Sequence, residues 1–190
     1  MMNALNSGHL SVIEHLPLTF LVEDVSRALT HQLVRHRIAS YSQQSQRYAK
    51  VNTNEDWYIT PISIKIHKDR NQVWSYKEND YTDINSAYEE LMDIISLYYD
   101  EFIKAGIPNE DARMILPNAC FTSIIVTMNA RSLIEQSSKR LCNRAQWEIR
   151  ELYTKMVELI KDIYPTVYNL CTPPCKTSTG CKEKYPCNKS

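Results

Sequence analysis

Residues 18–22, LTFLV, form a short apolar run with β-branched and aromatic members, which predicts a buried strand. Directly after it, Val25, Ala28, Leu29, Gln32 and Leu33 recur at helical spacing. Glu23 and Asp24 precede them where a helix N-terminus favours acids, so a helix is expected to begin there. The stretch RHRIASYSQQSQRY at 35–48 fits neither a helical nor an alternating period and reads as an ordered loop entering a strand. Trp57 to Pro61 reads as an edge strand ended by its proline, and 62–80 as loop with a short helix. From Asp83 to Ala105 the period is strong: Ile84, Ala87, Tyr88, Leu91, Ile94, Ile95, Tyr98 and Phe102 share one face. Asp83 is placed to cap this helix and Gly106 to end it, with Pro108 beyond.

Residues 119–128, ACFTSIIVTM, predict a central strand or a buried helix entry. A helical stretch follows from about Ala130 to Ile163, broken near Cys142–Asn143, and Pro165 is expected to stop it. After Tyr168 the residues cannot build a core and read as a tail. The division expected is a domain over 1–168 and a Cys-rich tail over 169–190. Strands mixed with long helices give an α+β class, a mixed sheet flanked by helices.

Charge narrows the partners. The chain has 190 residues with 22 Lys+Arg against 22 Asp+Glu, so it is neither a bulk nucleic-acid coater nor a polybasic membrane binder. A bound anion must be held by a local arginine cluster, and Arg35, Arg37 and Arg47 are one. Three glycines leave no GxGxxG or Walker loop. The N-terminus MMNALNSGHLSV shows no signal-peptide pattern, and no apolar run is long enough to span a membrane. With that start, the six cysteines point to a reduced, cytoplasmic setting.

Four groupings carry candidate chemistry. In the 35–48 stretch, serines and glutamines stand among guanidinium groups, a mixture suited to a phosphate or a heterocycle; the plain alternative is a solvated basic turn. In GHLSVIEH, His9, Ser11, Glu14 and His15 follow the order H-x-x-x-x-E-H, which matches neither H-E-x-x-H nor H-x-x-E-H. No metal is expected, and packing and ligand hydrogen bonding are favoured. Asn129 and Arg131 sit at a strand-to-helix junction, where helix N-termini attract anions. Arg140, Arg144 and Arg150 are equally readable as helix-surface partners of Glu135 and Glu148. The tail's C-x3-C-x5-C-x5-C lacks the C-x2-C knuckle of zinc sites.

Taken together these blocks resemble one family. RHRIASYSQQSQRY is similar to the R-H-R-x-x-S-x-x-x-x-S-x-R signature of the flavin-dependent thymidylate synthases. GHLSVIEH resembles their upstream H-x-[ST]-x-x-E-H element, and ARMILP, TMNARSL and RLCNRAQWEIR resemble the downstream half of the active site. The likeness covers roughly residues 8–165. It implies conversion of dUMP to dTMP by reductive methylation, with methylenetetrahydrofolate as carbon donor, FAD as hydride carrier and NADPH as reductant. It implies a homotetramer with shared active sites. No cysteine nucleophile is implied, and Pro-Cys here is never followed by histidine.

By motif position, Arg140 would activate the uracil ring. Gln32, Arg35, Gln43, Ser45, Arg47 and Arg113 would join it in binding dUMP. His9, His36, Arg37, Ile38, Asn129, Arg131, Glu135 and Arg144 would hold FAD. The chain departs from the family pattern at three points. Gln43 stands where many members carry Glu; Glu135 and Lys139 replace a more usual Asn or His and an apolar residue. Only seven residues precede Gly8, where the family carries a further segment with a strand, so that sheet strand is expected to be either missing or supplied differently. These departures keep open a degenerate flavin- or nucleotide-binding homologue without turnover. A nucleic-acid-binding module using the arginine loop is a third reading, and the zero net charge argues against it.

Overall fold

The computed structural model describes residues 7–67, 72–178, 180–181, 183–184 and 186–187. Two compact units emerge. One takes its described residues from Met1–Val22, Leu29–Ser42 and Ile124–Ser190, the other from Glu23–Ala28 and Gln43–Ser123. The class is α+β, as expected. The strands form a three-stranded sheet, ordered β1 (Pro17–Ser26), β5 (Phe121–Asn129), β2 (Ser40–Gln43), and a separate hairpin of β3 (Gln72–Ser75) and β4 (Asp80–Asp83).

In the first unit Leu18, Phe20 and Val22 of β1 alternate inward, as do Ile124, Val126 and Met128 of β5. The threonine hydroxyls of Thr19 and Thr127, 2.9 Å apart, join the two strands across the opposite face. Helix α1 (Arg27–Leu33) contributes Leu29 and Leu33 to this core. Helix α5 (Ala130–Arg140) packs against α6 (Trp147–Leu159), α7 (Pro165–Leu170) and the 3-10 turn Leu10–Ile13. Asn129 caps α5 by accepting from the Ser132 N–H at 2.9 Å, and Gln146 caps α6 by accepting from Ile149 N–H at 3.0 Å. The break between these helices falls at 141–146, where the pattern predicted it.

The second unit is organised on α3 (Ile84–Lys104), with α2 (Ile62–His67), the hairpin and the single turn α4 (Asn109–Ala112) against it. Asp83 caps α3 through the N–H groups of Asn85 and Ser86, and Gly106 ends it with a positive φ of 84°. Its small core is Trp57, Met92 and Cys120, with Val51, Tyr58, Tyr88, Ile95 and Leu116 packed around them.

Five expectations need correction. Glu23, Asp24 and Val25 belong to β1 and not to a helix, because the sheet carries the strand on to Ser26; Asp24 takes a φ of 54° there. The strand expected at Trp57–Pro61 reduces to one bridge, Tyr58 with Cys120. Residues 72–83 form an antiparallel hairpin whose cross-strand pair is Trp74 with Tyr81, rings 5.4 Å apart. Its turn has Asn79 at φ 53°, a conformation asparagine tolerates. Pro165 opens α7 at its first turn, where a missing N–H costs nothing, so the chain beyond Ile163 is helical again and Cys171 is buried after it.

The fifth correction concerns α3. Met92 and Tyr99 are its buried residues, with Tyr88 and Ile95 beside the core. Leu91, Ile94, Tyr98 and Phe102, expected on the buried face, are between 37% and 56% exposed. The apolar stripe is wider than the core that this unit provides for it.

Candidate active site

All eight residues that the resemblance assigns to FAD lie in the first unit. His9 is exposed just before the Leu10–Ile13 turn. Asn129 is the α5 cap. Arg131, two residues on, donates through Nε to Glu135 Oε1 at 3.0 Å and through Nη1 to Glu14. The upstream GHLSVIEH block is thereby tied to the start of α5. Glu135 has a definite role in this arrangement: it holds Arg131 in place. These pairs are exposed, so they orient side chains more than they stabilise the fold.

Arg37 and Ile38 are exposed in the loop before β2, whereas His36 is partly buried against α5. Its Nδ1 lies 2.7 Å from Gln136 Nε2, and its Nε2 is buried with no hydrogen-bond partner among the described residues. Burial holds the imidazole below its usual pKa; Glu135 works against this and Lys139 and Arg140 with it. The Tyr41 hydroxyl is 2.9 Å from both the Leu33 and His36 carbonyl oxygens and pins the loop from inside. Pattern reading missed Tyr41 and Gln136, since a tyrosine in a polar loop and a glutamine in a polar helix carry no signal of their own.

Arg140, the last residue of α5, reaches the Gln32 carbonyl oxygen through Nη2 at 3.5 Å. Burial raises the pKa of the nearby Tyr41 and Tyr153 phenols, and the guanidinium offsets part of that rise. Arg140 and Arg144 line one cleft of about 450 Å³ together with Lys139, Cys142 and the tail residues Cys175 and Glu183. Arg144 Nε is 3.8 Å from Glu183. Arg150 Nη1 donates to the Asn143 carbonyl oxygen at 3.1 Å, which braces the 141–146 turn.

Of the residues assigned to dUMP, Gln32, Arg35 and Arg140 belong to the first unit, and Gln43, Ser45, Arg47 and Arg113 to the second. Within the second unit, Gln43 Nε2 donates to Thr122 at 3.2 Å. Ser45 Oγ accepts from the Arg47 N–H at 3.3 Å, and its carbonyl accepts from Ala49. Arg47 sends Nε and Nη2 to one carboxylate oxygen of Glu110, at 3.0 and 2.7 Å. Arg113 Nε donates to the backbone carbonyl of the same Glu110 at 3.1 Å. One acidic residue therefore brings together two arginines that are 66 positions apart in sequence. Glu110 was not foreseen, and its only local signal is its place in the first turn of α4.

The donor set suits a flavin: a buried imidazole nitrogen without a partner among the described residues, and arginines at a capped helix start and at a helix end. Among the described residues, no group of three or more His, Cys, Asp or Glu side chains is arranged to hold a metal ion. No described helix is long and apolar enough to cross a membrane.

Comparison with known proteins points the same way. Residues 1–166 match the family model described as thymidylate synthase complementing protein. The flavin-dependent thymidylate synthase of Geobacter sulfurreducens is 43% identical over 183 residues, covering 96% of this chain and 73% of that protein. That of Saccharolobus solfataricus is 43% identical over 173 residues, covering 91% and 60%. That of Pyrococcus furiosus is 47% identical over 156 residues, covering 81% and 58%. The chain thus spans about three-fifths to three-quarters of the length of these relatives. A family match over nearly the whole chain, and a relative this similar with most of its length covered, place the chain in the flavin-dependent thymidylate synthase family.

Proposed function

We propose that this protein makes dTMP from dUMP, with methylenetetrahydrofolate as the carbon donor, NADPH as the reductant and FAD as the cofactor. FAD, when bound, supplies the hydride. The observation that carries the reading is the α5 cluster: His36 with a buried nitrogen that has no partner among the described residues, and Arg140 one turn beyond Gln136 and lining the same cleft as Arg144.

In this reading Arg140 lies against the uracil ring's oxygen and N1 edge and stabilises the negative charge that grows there, a role for a fixed positive group in a partly dry site. Arg35, Ser45, Arg47 and Arg113 bind the phosphate, with Gln32 and Gln43 beside the base. His9, His36, Arg37, Ile38, Asn129, Arg131, Glu135 and Arg144 hold the flavin. Residues 1–168 are the catalytic domain, 169–190 a Cys-rich appendage, and the reaction is cytoplasmic.

No thiolate is needed. Burial pushes the Cys120 and Cys171 thiols up to about 11, so both stay protonated at neutral pH. The test is dTMP formation from dUMP by FAD-loaded protein, repeated on a variant with all six cysteines replaced. Cys120 and Cys171 are changed to Ala, because a buried serine hydroxyl needs hydrogen bonds that a buried thiol, a small hydrophobe, does not. Turnover within about fivefold of the parent is expected, allowing about 1 kcal/mol of indirect effect. A folded, FAD-loaded variant without activity would overturn thiol-independent chemistry.

The assembly proposed is a homotetramer with sites shared between subunits. Support comes from the outward row on α3, Leu91, Ile94, Tyr98 and Phe102, an apolar stripe too continuous to be left in water. Ile94→Glu combined with Tyr98→Glu should lower the mass in sedimentation equilibrium and abolish turnover together. A wild-type protein that sediments as a monomer would contradict the assembly.

A further inference from the structure

We infer that Gln136 selects the tautomer of His36, so that Nε2 is a standing hydrogen-bond donor aimed at an acceptor atom of the flavin ring. Gln136 is thus a positioning residue acting through His36; the flavin half of this statement rests on the function proposed above.

The argument begins with the pair itself. Gln136 is buried on α5, and its amide nitrogen lies 2.7 Å from His36 Nδ1, a full hydrogen bond between residues 100 positions apart. An amide NH2 group has donors only. Nδ1 must therefore supply the lone pair, and a neutral imidazole with a bare Nδ1 carries its proton on Nε2. That Nε2 is buried and has no partner among the described residues. A buried donor without a partner costs free energy, so a ligand acceptor reaching it recovers a hydrogen bond that the protein alone leaves unmade.

The surroundings keep the ring in this state. Protonation would set an N–H on Nδ1 head-on against the amide N–H groups of Gln136. Lys139 and Arg140, facing the ring from the same helix, oppose a positive charge, Glu135 favours it, and burial opposes it most. Tyr41 donates to the His36 carbonyl and fixes the backbone from which the ring projects, while the bond to Gln136 fixes the ring itself. His36 is then neither a general base through Nε2 nor a counter-ion. It is a neutral donor, matched to a ring carbonyl or imine nitrogen.

Nitrogen-15 NMR of the flavin-free protein at pH 7 tests this directly, with His36→Asn used to identify the His36 signals. The expected result is a protonated Nε2 and an unprotonated Nδ1. Gln136→Glu replaces the donors with an acceptor. It should move the proton to Nδ1 and raise the His36 pKa by about one unit or more, through an opposite charge in contact. Gln136→Leu should leave a mixture of tautomers in a folded protein. FAD titration of the same variants should show about tenfold weaker binding for Gln136→Glu, the loss expected of one ligand hydrogen bond, and only about twofold for Gln136→Leu, in which the donor tautomer stays partly populated. Wild-type His36 protonated on Nδ1, or a tautomer unchanged in Gln136→Leu, would overturn the role of Gln136. Unchanged FAD affinity in a variant whose tautomer has inverted would overturn the flavin as its target. Wild type that binds no FAD at all would instead overturn the proposed function, with the tautomer result standing.

Discussion

Replacing Arg140 by alanine is expected to leave a folded protein that still binds its ligands and turns over about 10²–10³ more slowly. The fold has little invested in this side chain: among the described residues its hydrogen bonding is a single 3.5 Å approach to the Gln32 carbonyl oxygen. Its chemical part in the proposed reaction is large. With no thiolate to attack the ring, the uracil must be activated by charge, and a guanidinium at a fixed distance acts most where negative charge develops. The loss should therefore fall on kcat more than on KM. Arg140→Lys keeps a cation but not the planar fork, and should recover only part of the rate. Single-turnover measurement of dTMP formation separates this from slow product release. A rate within a few-fold of wild type would remove Arg140 from the mechanism.

The second large effect is on nucleotide affinity. Arg47→Ala should weaken dUMP binding by about ten- to a hundredfold, the worth of charge-assisted hydrogen bonds to phosphate. Uridine, lacking the phosphate, should bind weakly to wild type and lose little more in the variant. In the structure both donors of the Arg47 fork go to Glu110, and each partner of that pair is about half exposed. An ion pair so well hydrated is worth only a fraction of a kcal/mol, so a dianionic phosphate can displace the carboxylate. Glu110→Gln should then tighten dUMP slightly, by about two- to fivefold, because the competitor is gone while Arg47 and the Glu110 backbone carbonyl that orients Arg113 remain. Calorimetry with both ligands on all three proteins decides it. Equal dUMP affinity in wild type and Arg47→Ala would mean that this arginine serves only its surface pair.

Much of the framework was legible because its causes are local. Asp83 and Gly106 mark the ends of α3 through hydrogen bonds and backbone angles that involve neighbours within four residues. The apolar run of β1 and the interruption between α5 and α6 are read the same way, whereas 119–128 left a strand and a helix entry both open until β5 settled it. The family signature was legible for a different reason: several uncommon residue types recur there at set spacing, and the chain carries them in full at 35–47.

What the pattern misread depends on distant partners. Periodicity says that α3 has an apolar stripe but not how much of it the rest of the fold covers; Met92 and Tyr99 are buried while Leu91 and Tyr98 face out. Strand β1 runs through Glu23 and Asp24, residues of poor strand propensity, because its sheet neighbour supplies the hydrogen bonds. The sequence by itself determined the long helix α3 with its cap, the interruption between α5 and α6, the α+β class and the family to which the chain belongs. Only the tertiary structure decided how those residues are held: Gln136 on His36 across 100 positions, Glu110 on Arg47 across 63, Glu14 on Arg131 across 117. A side chain's chemistry is written in its own covalent structure. Its tautomer, its ion-pair partner and the direction of its donors are set by whichever atoms the fold brings within about 3 Å, and no spacing along the chain encodes that.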